Sequence, residues 1–134
     1  MKKKKAFTLV ELLVVIAIIG LLATLSVLSL NNARAKARDA KRVADVKQMM
    51  TALELYFNDN QQYTSSLAPG EQIASGTTVY MNVVPTPPTP PVAIQAYTYT
   101  ATNSNASYTL EYYLEGQVGS IPAGLHTANP SALY

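Results

Sequence analysis

Residues 2–30 of the chain read KKKKAFTLVELLVVIAIIGLLATLSVLSL, and this stretch decides the fold. No residue from 12 to 30 is charged. At a rise of about 1.5 Å per residue, a helix of this length crosses the ~30 Å apolar core of a bilayer. The stretch therefore predicts a membrane-spanning helix.

The helix is predicted to continue beyond this stretch, from Phe7 to about Asn58. No proline occurs before Pro69, and residues 58–60 supply stop signals. The second part of the helix is amphipathic, because apolar residues recur at steps of three and four. They are Val43, Val46, Met50, Leu53 and Phe57.

Basic residues flank the apolar stretch on both sides. Four lysines occupy positions 2–5, six Lys or Arg residues lie within 34–47, and none follows. The last two-thirds of the chain is mildly acidic, which argues against nucleic-acid binding by that part. Residues 34–47 could bind anionic lipid headgroups or nucleic acid. We interpret them instead as a solvated helix face, because Asp39 and Asp45 are interleaved with the bases.

The remainder of the chain reads as a small β-containing head. A short strand or buried segment is predicted within 77–84, and residues 96–102 and 107–115 are predicted to form a hairpin. The proline-rich loop 85–91 is interpreted as a rigid polyproline II connector, with a peptide-ligand role as the alternative. Residues 116–134 show no periodicity and are predicted to be a loop.

Several polar and aromatic residues could form sites, but a structural role is expected for each of them. The tyrosines are expected to pack on the helix rather than to form a binding platform; they are Tyr97, Tyr99, Tyr108, Tyr112 and Tyr113. His126 is the sole histidine, so a catalytic or metal role is not expected for it. Residues 105–107, Asn-Ala-Ser, fit the glycosylation acceptor pattern, but Asn105 is expected to serve a turn. The chain has no cysteine, phosphate-binding loop or nucleophile elbow. We therefore expect no enzymatic activity, no cofactor and no metal site.

Glu11 is the anomaly of the N-terminal stretch. A carboxylate inside a membrane helix costs a few kcal/mol, although less near the interface than at the bilayer centre. One interpretation is an interfacial acid that the helix dipole favours. The other is an assembly residue, neutralised by the N-terminal ammonium of a neighbouring subunit and able to fix axial register.

Residues 6–13, AFTLVELL, with the basic leader and Ile18-Ile19-Gly20, resemble the class III signal of type IV pilins and pseudopilins. The resemblance implies cleavage by a prepilin peptidase between Ala6 and Phe7 and N-methylation of Phe7. It also implies a charge partnership for Glu11 during assembly. These implications favour the second interpretation of Glu11.

The chain departs from this family pattern at three places. Ala6 stands where Gly is usual before the scissile bond, which predicts slower cleavage. Leu28 stands where many members have a helix-bending proline. No Asp follows Asp59, so the C-terminal calcium site of many pseudopilins is not expected.

Together these features predict an α+β, pilin-like fold with one long N-terminal helix packed on a small antiparallel sheet. The predicted segments are the leader 1–6, the transmembrane or filament-core helix 7–30, the amphipathic helix 31–60 and the head 61–134.

The predicted function is that of a structural subunit of a type IV pilus-like or type II secretion-like filament. The alternative is a single-pass, membrane-anchored extracytoplasmic binding domain that does not assemble. Expected partners are further pilin subunits, the prepilin peptidase, an inner-membrane assembly platform and membrane lipid. The expected location is the cytoplasmic membrane with a cytoplasmic N-terminus, and then a periplasmic or extracellular filament.

Overall fold

The computed structural model describes residues 7–89 and 96–133 and confirms the predicted α+β class. One helix precedes two antiparallel sheets, a two-stranded sheet and a four-stranded sheet whose strands follow chain order. The elements are α1 (Leu9–Asn60), then β1 (Ile73–Ser75) and β2 (Thr78–Met81) of the small sheet, then β3 (Thr98–Thr102), β4 (Ser107–Leu114), β5 (Gly124–Asn129) and β6 (Ala132–Leu133) of the large sheet.

The chain forms two compact units, Met1–Arg34 and Ala35–Tyr134. In the first unit, the large hydrophobic side chains of residues 7–30 are between 44% and 79% exposed. Exposed apolar area costs about 25 cal/mol per Å² in water, so a segment of this kind requires a nonaqueous environment or partner chains. By length and composition, α1 contains a segment able to cross a membrane.

In the second unit, α1 buries one face. Its buried apolar side chains are Val43, Val46, Met49, Ala52 and Leu53. The predicted stripe was right for three of these residues, but Met50 and Phe57 are only partly buried. The buried face is centred on Met49, so the prediction placed part of the stripe one residue too far along the helix.

The four-stranded sheet contributes the other half of the core. Strand β4 alternates between buried and more exposed residues, as expected when one face of a sheet is packed. Its four fully buried side chains are Tyr108, Leu110, Tyr112 and Leu114. The predicted hairpin is confirmed, since β3 pairs antiparallel with β4 from Thr98↔Glu111 to Thr102↔Ser107.

Residues 116–134 were predicted to be a loop, and that prediction is wrong. Strand β5 pairs with β4 from Leu110↔Ala128 to Leu114↔Gly124, and β6 pairs with β5. Within the described part of this segment, only Ala128 is buried. Strand β5 therefore lacks the apolar alternation by which a strand is predicted from sequence. It is a strand because its main chain pairs with β4, and not because its side chains fill the core.

Two buried tyrosines differ in the hydrogen bonding of their hydroxyls. The Tyr97 hydroxyl donates to Asp45 Oδ2 at 2.9 Å, whereas the Tyr108 hydroxyl is buried and has no partner within the described residues. We expect Tyr97→Phe to lower the free energy of unfolding by about 2 kcal/mol, because a hydrogen bond to a buried carboxylate is lost.

Tyr108→Phe is the matched control, since it removes the same atom from an unsatisfied site. We expect it to leave the free energy of unfolding unchanged or to raise it by about 1 kcal/mol. Urea denaturation of the full chain in detergent, followed by tyrosine near-ultraviolet circular dichroism, measures both. A larger loss in Tyr108→Phe than in Tyr97→Phe would contradict this account.

Candidate functional site

Glu11 lies in the first turn of α1, where it forms a capping box with Thr8. The Thr8 amide and hydroxyl both donate to Glu11 Oε2, at 2.8 and 2.7 Å. In return, the Glu11 amide donates to Thr8 Oγ1 at 3.2 Å. The pair satisfies amide groups that have no partner within the helix, and the carboxylate lies at the positive end of the helix dipole. The Thr-x-x-Glu spacing signals this cap in the sequence, although no cap was predicted there.

The cap leaves the carboxylate of Glu11 able to bind another group. Both bonds end on Oε2, and the side chain is exposed. A carboxylate offers about four lone-pair positions, so Glu11 can keep its cap and still accept a bond from a cation. Phe7, just before the cap, is 74% exposed. Ala6 lies outside the described residues, and the roles assigned to Ala6, Phe7 and Glu11 stay predictions.

The interpretation of residues 34–47 as a solvated face is wrong for four charged side chains. Asp39, Arg42 and Asp45 are buried, and Arg38 is partly buried. Helical periodicity explains this burial. Asp39, Arg42 and Val46 follow one another at steps of three and four residues, so they lie on the same buried face of α1. The bases of this segment that remain exposed are Arg34, Lys36, Lys41 and Lys47.

Two of the buried residues, Asp39 and Arg42, form a buried charge cluster with the partly buried Arg38 and Glu115. Arg42 Nη1 lies 2.6 Å from Asp39 Oδ1 and 2.7 Å from Glu115 Oε1. Arg38 donates two bonds to the Glu115 carboxylate, at 2.7 and 2.6 Å. Glu115 directly follows β4, so the cluster ties α1 to the end of the central strand.

Backbone groups complete the buried charge cluster. The amides of Glu115 and Gly116 donate to the two oxygens of Asp39, at 3.0 and 2.8 Å. Arg42 Nη2 donates to the carbonyl oxygen of Pro88 at 2.9 Å. The cluster therefore joins the helix, the sheet and the proline-rich loop. That loop is described only as far as residue 89, and the rest of the predicted connector 85–91 lies outside the described residues.

The buried charge cluster makes the free energy of unfolding depend on pH in the acid range. Hydrogen bonding, first from Arg38 and then from Arg42, holds the pKa of Glu115 below its usual value of 4.5. A lowered pKa in the folded state contributes stability that is present above pH 4.5 and lost as the pH falls through the folded value. We expect the urea concentration at the unfolding midpoint to decrease as the pH is lowered below about 4.5. Glu115→Gln should have a lower midpoint than the unchanged protein at neutral pH, and its midpoint should depend less on pH in the acid range. Parallel curves for the two proteins between pH 7 and pH 3 would contradict this.

The other residues singled out in the sequence have structural surroundings. Tyr97, Tyr108 and Tyr112 are buried and the other two tyrosines are partly buried, which supports packing over a platform. The ring nitrogen Nε2 of His126 lies 2.8 Å from the Pro122 carbonyl oxygen. Asn105 adopts the left-handed region with φ 66°, in the turn between β3 and β4.

Comparison with known proteins confirms the predicted resemblance. Residues 1–27 match the family model of the prokaryotic N-terminal methylation motif. The chain is 42% identical over 64 residues to the type II secretion system core protein G of Escherichia coli strain K12, covering 48% of this chain and 44% of that protein.

Two pilus proteins show a similar degree of likeness. The type IV wide pilus major component PilA4 of Thermus thermophilus is 43% identical over 68 residues, covering 51% of this chain and 52% of that protein. A fimbrial protein of Pseudomonas aeruginosa is 35% identical over 69 residues, covering 52% and 45%. The chain thus spans about half the length of the relatives it matches. No solved structure gives a significant match.

Proposed function

We propose that the chain is a structural subunit of a type IV pilus-like or type II secretion-like filament, polymerised through its N-terminal helix. The observation that carries the proposal is one carboxylate, Glu11, fixed at the start of an otherwise apolar and exposed helical segment. The likeness to secretion protein G and to PilA4 supports a filament role.

The exposed apolar segment can be covered in two ways, by lipid or by the helices of neighbouring subunits. Lipid covers it while the subunit is stored in the membrane. Helix packing covers it in the filament, where the close approach of neighbouring helices replaces lipid contacts. There, the ammonium of a neighbour's Phe7 neutralises Glu11, and the pair sets the axial register of the subunits.

Processing precedes assembly in this proposal. A prepilin peptidase cleaves between Ala6 and Phe7, a methyl donor then methylates the new amino group of Phe7, and an inner-membrane platform receives the subunit. The leader lysines hold the N-terminus on the cytoplasmic side, in keeping with the excess of basic residues in cytoplasmic segments. The head is then periplasmic, and the filament is periplasmic or extracellular.

Mass spectrometry of protein purified from cells with an active prepilin peptidase tests the processing step. We expect a chain that begins at Phe7 and carries one methyl group. Ala6→Gly, which restores the residue usual in the family, should be processed at least as completely. A chain that retains Met1 in those cells would overturn the proposal.

A second candidate function is a membrane-anchored binding domain that does not polymerise. It is favoured by the capping box, which gives Glu11 a role within its own helix. Electron microscopy separates the two candidates, since only the first produces filaments. No catalytic role is proposed, and the names of these relatives describe pilus and secretion-system components.

A further inference from the structure

The buried charge cluster changes which charges α1 presents to its surroundings. Between residues 35 and 53, the two acids Asp39 and Asp45 face the interior, as does Arg42, and Arg38 is paired with Glu115. The charged side chains that remain exposed there are all lysines: Lys36, Lys41 and Lys47. No exposed acid in this segment offsets them.

We propose that Lys36 binds the phosphate groups of anionic phospholipids at the membrane surface. The inference rests on the membrane storage proposed above. Lys36 follows Leu30, the last residue of the apolar stretch, by six positions of one helix, and six helical residues rise about 9 Å. Each headgroup layer is about 5–7 Å thick, and a flexible lysine side chain can reach back to it.

The placement of the exposed lysines favours a lipid layer over a nucleic acid. Lys41 is five positions after Lys36, so its side chain lies about 140° away around the helix. The two lysines therefore do not line one side of α1, as contact of both with a single rod-like duplex would require. The exposed acids elsewhere in the unit, including Glu54, Asp59, Glu71 and Glu111, also repel a polyanion.

Lys47 provides a matched control for Lys36. The two residues are eleven positions apart, so they lie on nearly the same side of α1 but about 16 Å apart along its axis. Electrostatic attraction to a membrane decays within a Debye length of about 8–10 Å. Removal of either charge alters the net charge equally, and only Lys36 is close to the uncharged run.

The test uses the full chain in nanodiscs of phosphatidylcholine with trace spin-labelled lipids. Electron paramagnetic resonance gives the association constant of spin-labelled phosphatidylglycerol relative to phosphatidylcholine. We expect a preference for phosphatidylglycerol that weakens with added salt and falls up to about fivefold in Lys36→Gln. Lys36→Arg should restore it, and Lys47→Gln should leave it nearly unchanged. The leader lysines are common to all variants and cancel in the comparison.

Three results would overturn the inference. Equal effects of Lys36→Gln and Lys47→Gln would show that only net charge matters. Salt-sensitive binding of a labelled DNA duplex through Lys36, without a lipid preference, would assign Lys36 to nucleic acid. Insertion into discs with no preference for phosphatidylglycerol would remove the lipid role and leave the filament proposal standing. Failure of the chain to enter the discs would overturn both.

Discussion

Glu11→Gln is expected to abolish filaments while leaving the start of α1 intact. Gln can keep the capping box, because its amide oxygen accepts the same bonds from Thr8. It cannot neutralise the ammonium of a neighbouring Phe7. In a water-excluded filament core, an unpaired charge costs several kcal/mol, and the cost recurs at every subunit. Electron microscopy of sheared filaments gives the result, with membrane fractionation to show that the subunit is still inserted.

Two further variants separate the charge of Glu11 from its capping role. Thr8→Ala weakens the cap by about 1 kcal/mol and keeps the charge, so we expect filaments to persist. Glu11→Val removes both and is expected to insert into the membrane without assembling. Filaments from Glu11→Gln together with none from Thr8→Ala would show that Glu11 acts only as a helix cap.

Arg42→Ala is expected to destabilise the second unit by about 3–5 kcal/mol. The Arg42 side chain is fully buried, and its removal leaves the Asp39 carboxylate buried without its cationic partner. It also removes the bond to the Pro88 carbonyl. Since whole domains are stable by about 5–15 kcal/mol, this loss is a large fraction of the total. Urea denaturation of the full chain in detergent, followed by tyrosine near-ultraviolet circular dichroism, measures it.

Lys41→Ala is the control for Arg42→Ala. It removes the same charge from the adjacent position, where the side chain is exposed, and should change stability by at most about 0.5 kcal/mol. Equal denaturation midpoints for the two variants would mean that the buried charge cluster contributes no net stability. A lower denaturation midpoint for Lys41→Ala than for Arg42→Ala would contradict the burial of Arg42 and the exposure of Lys41.

The parts of the fold that were predictable from the sequence are those that depend on local pattern. An uncharged run and the absence of proline specify α1, and alternation in residues 96–102 and 107–115 specifies the hairpin. The Thr8–Glu11 cap belongs to this class as well, since its spacing is visible in the sequence.

The buried charge cluster depends on contacts between distant residues. Asp39 and Arg42 have the spacing of an ordinary surface ion pair on a helix, so their pattern alone does not indicate burial. Their burial follows from Glu115, which is 73 positions from Arg42 in the chain and follows β4. Strand β5 has the same origin, because its identity depends on main-chain pairing with β4. In both cases the deciding partner is remote in sequence.

The capping box at the start of α1 has a consequence for maturation. Thr8 and Glu11 both follow the proposed cleavage point, so removal of the leader after Ala6 keeps both residues of the capping box and the hydrogen bonds between them. The proposed scission would replace a peptide bond by a free ammonium one residue before Thr8, and so would change the electrostatics of the helix start while the hydrogen bonds between Thr8 and Glu11 remain.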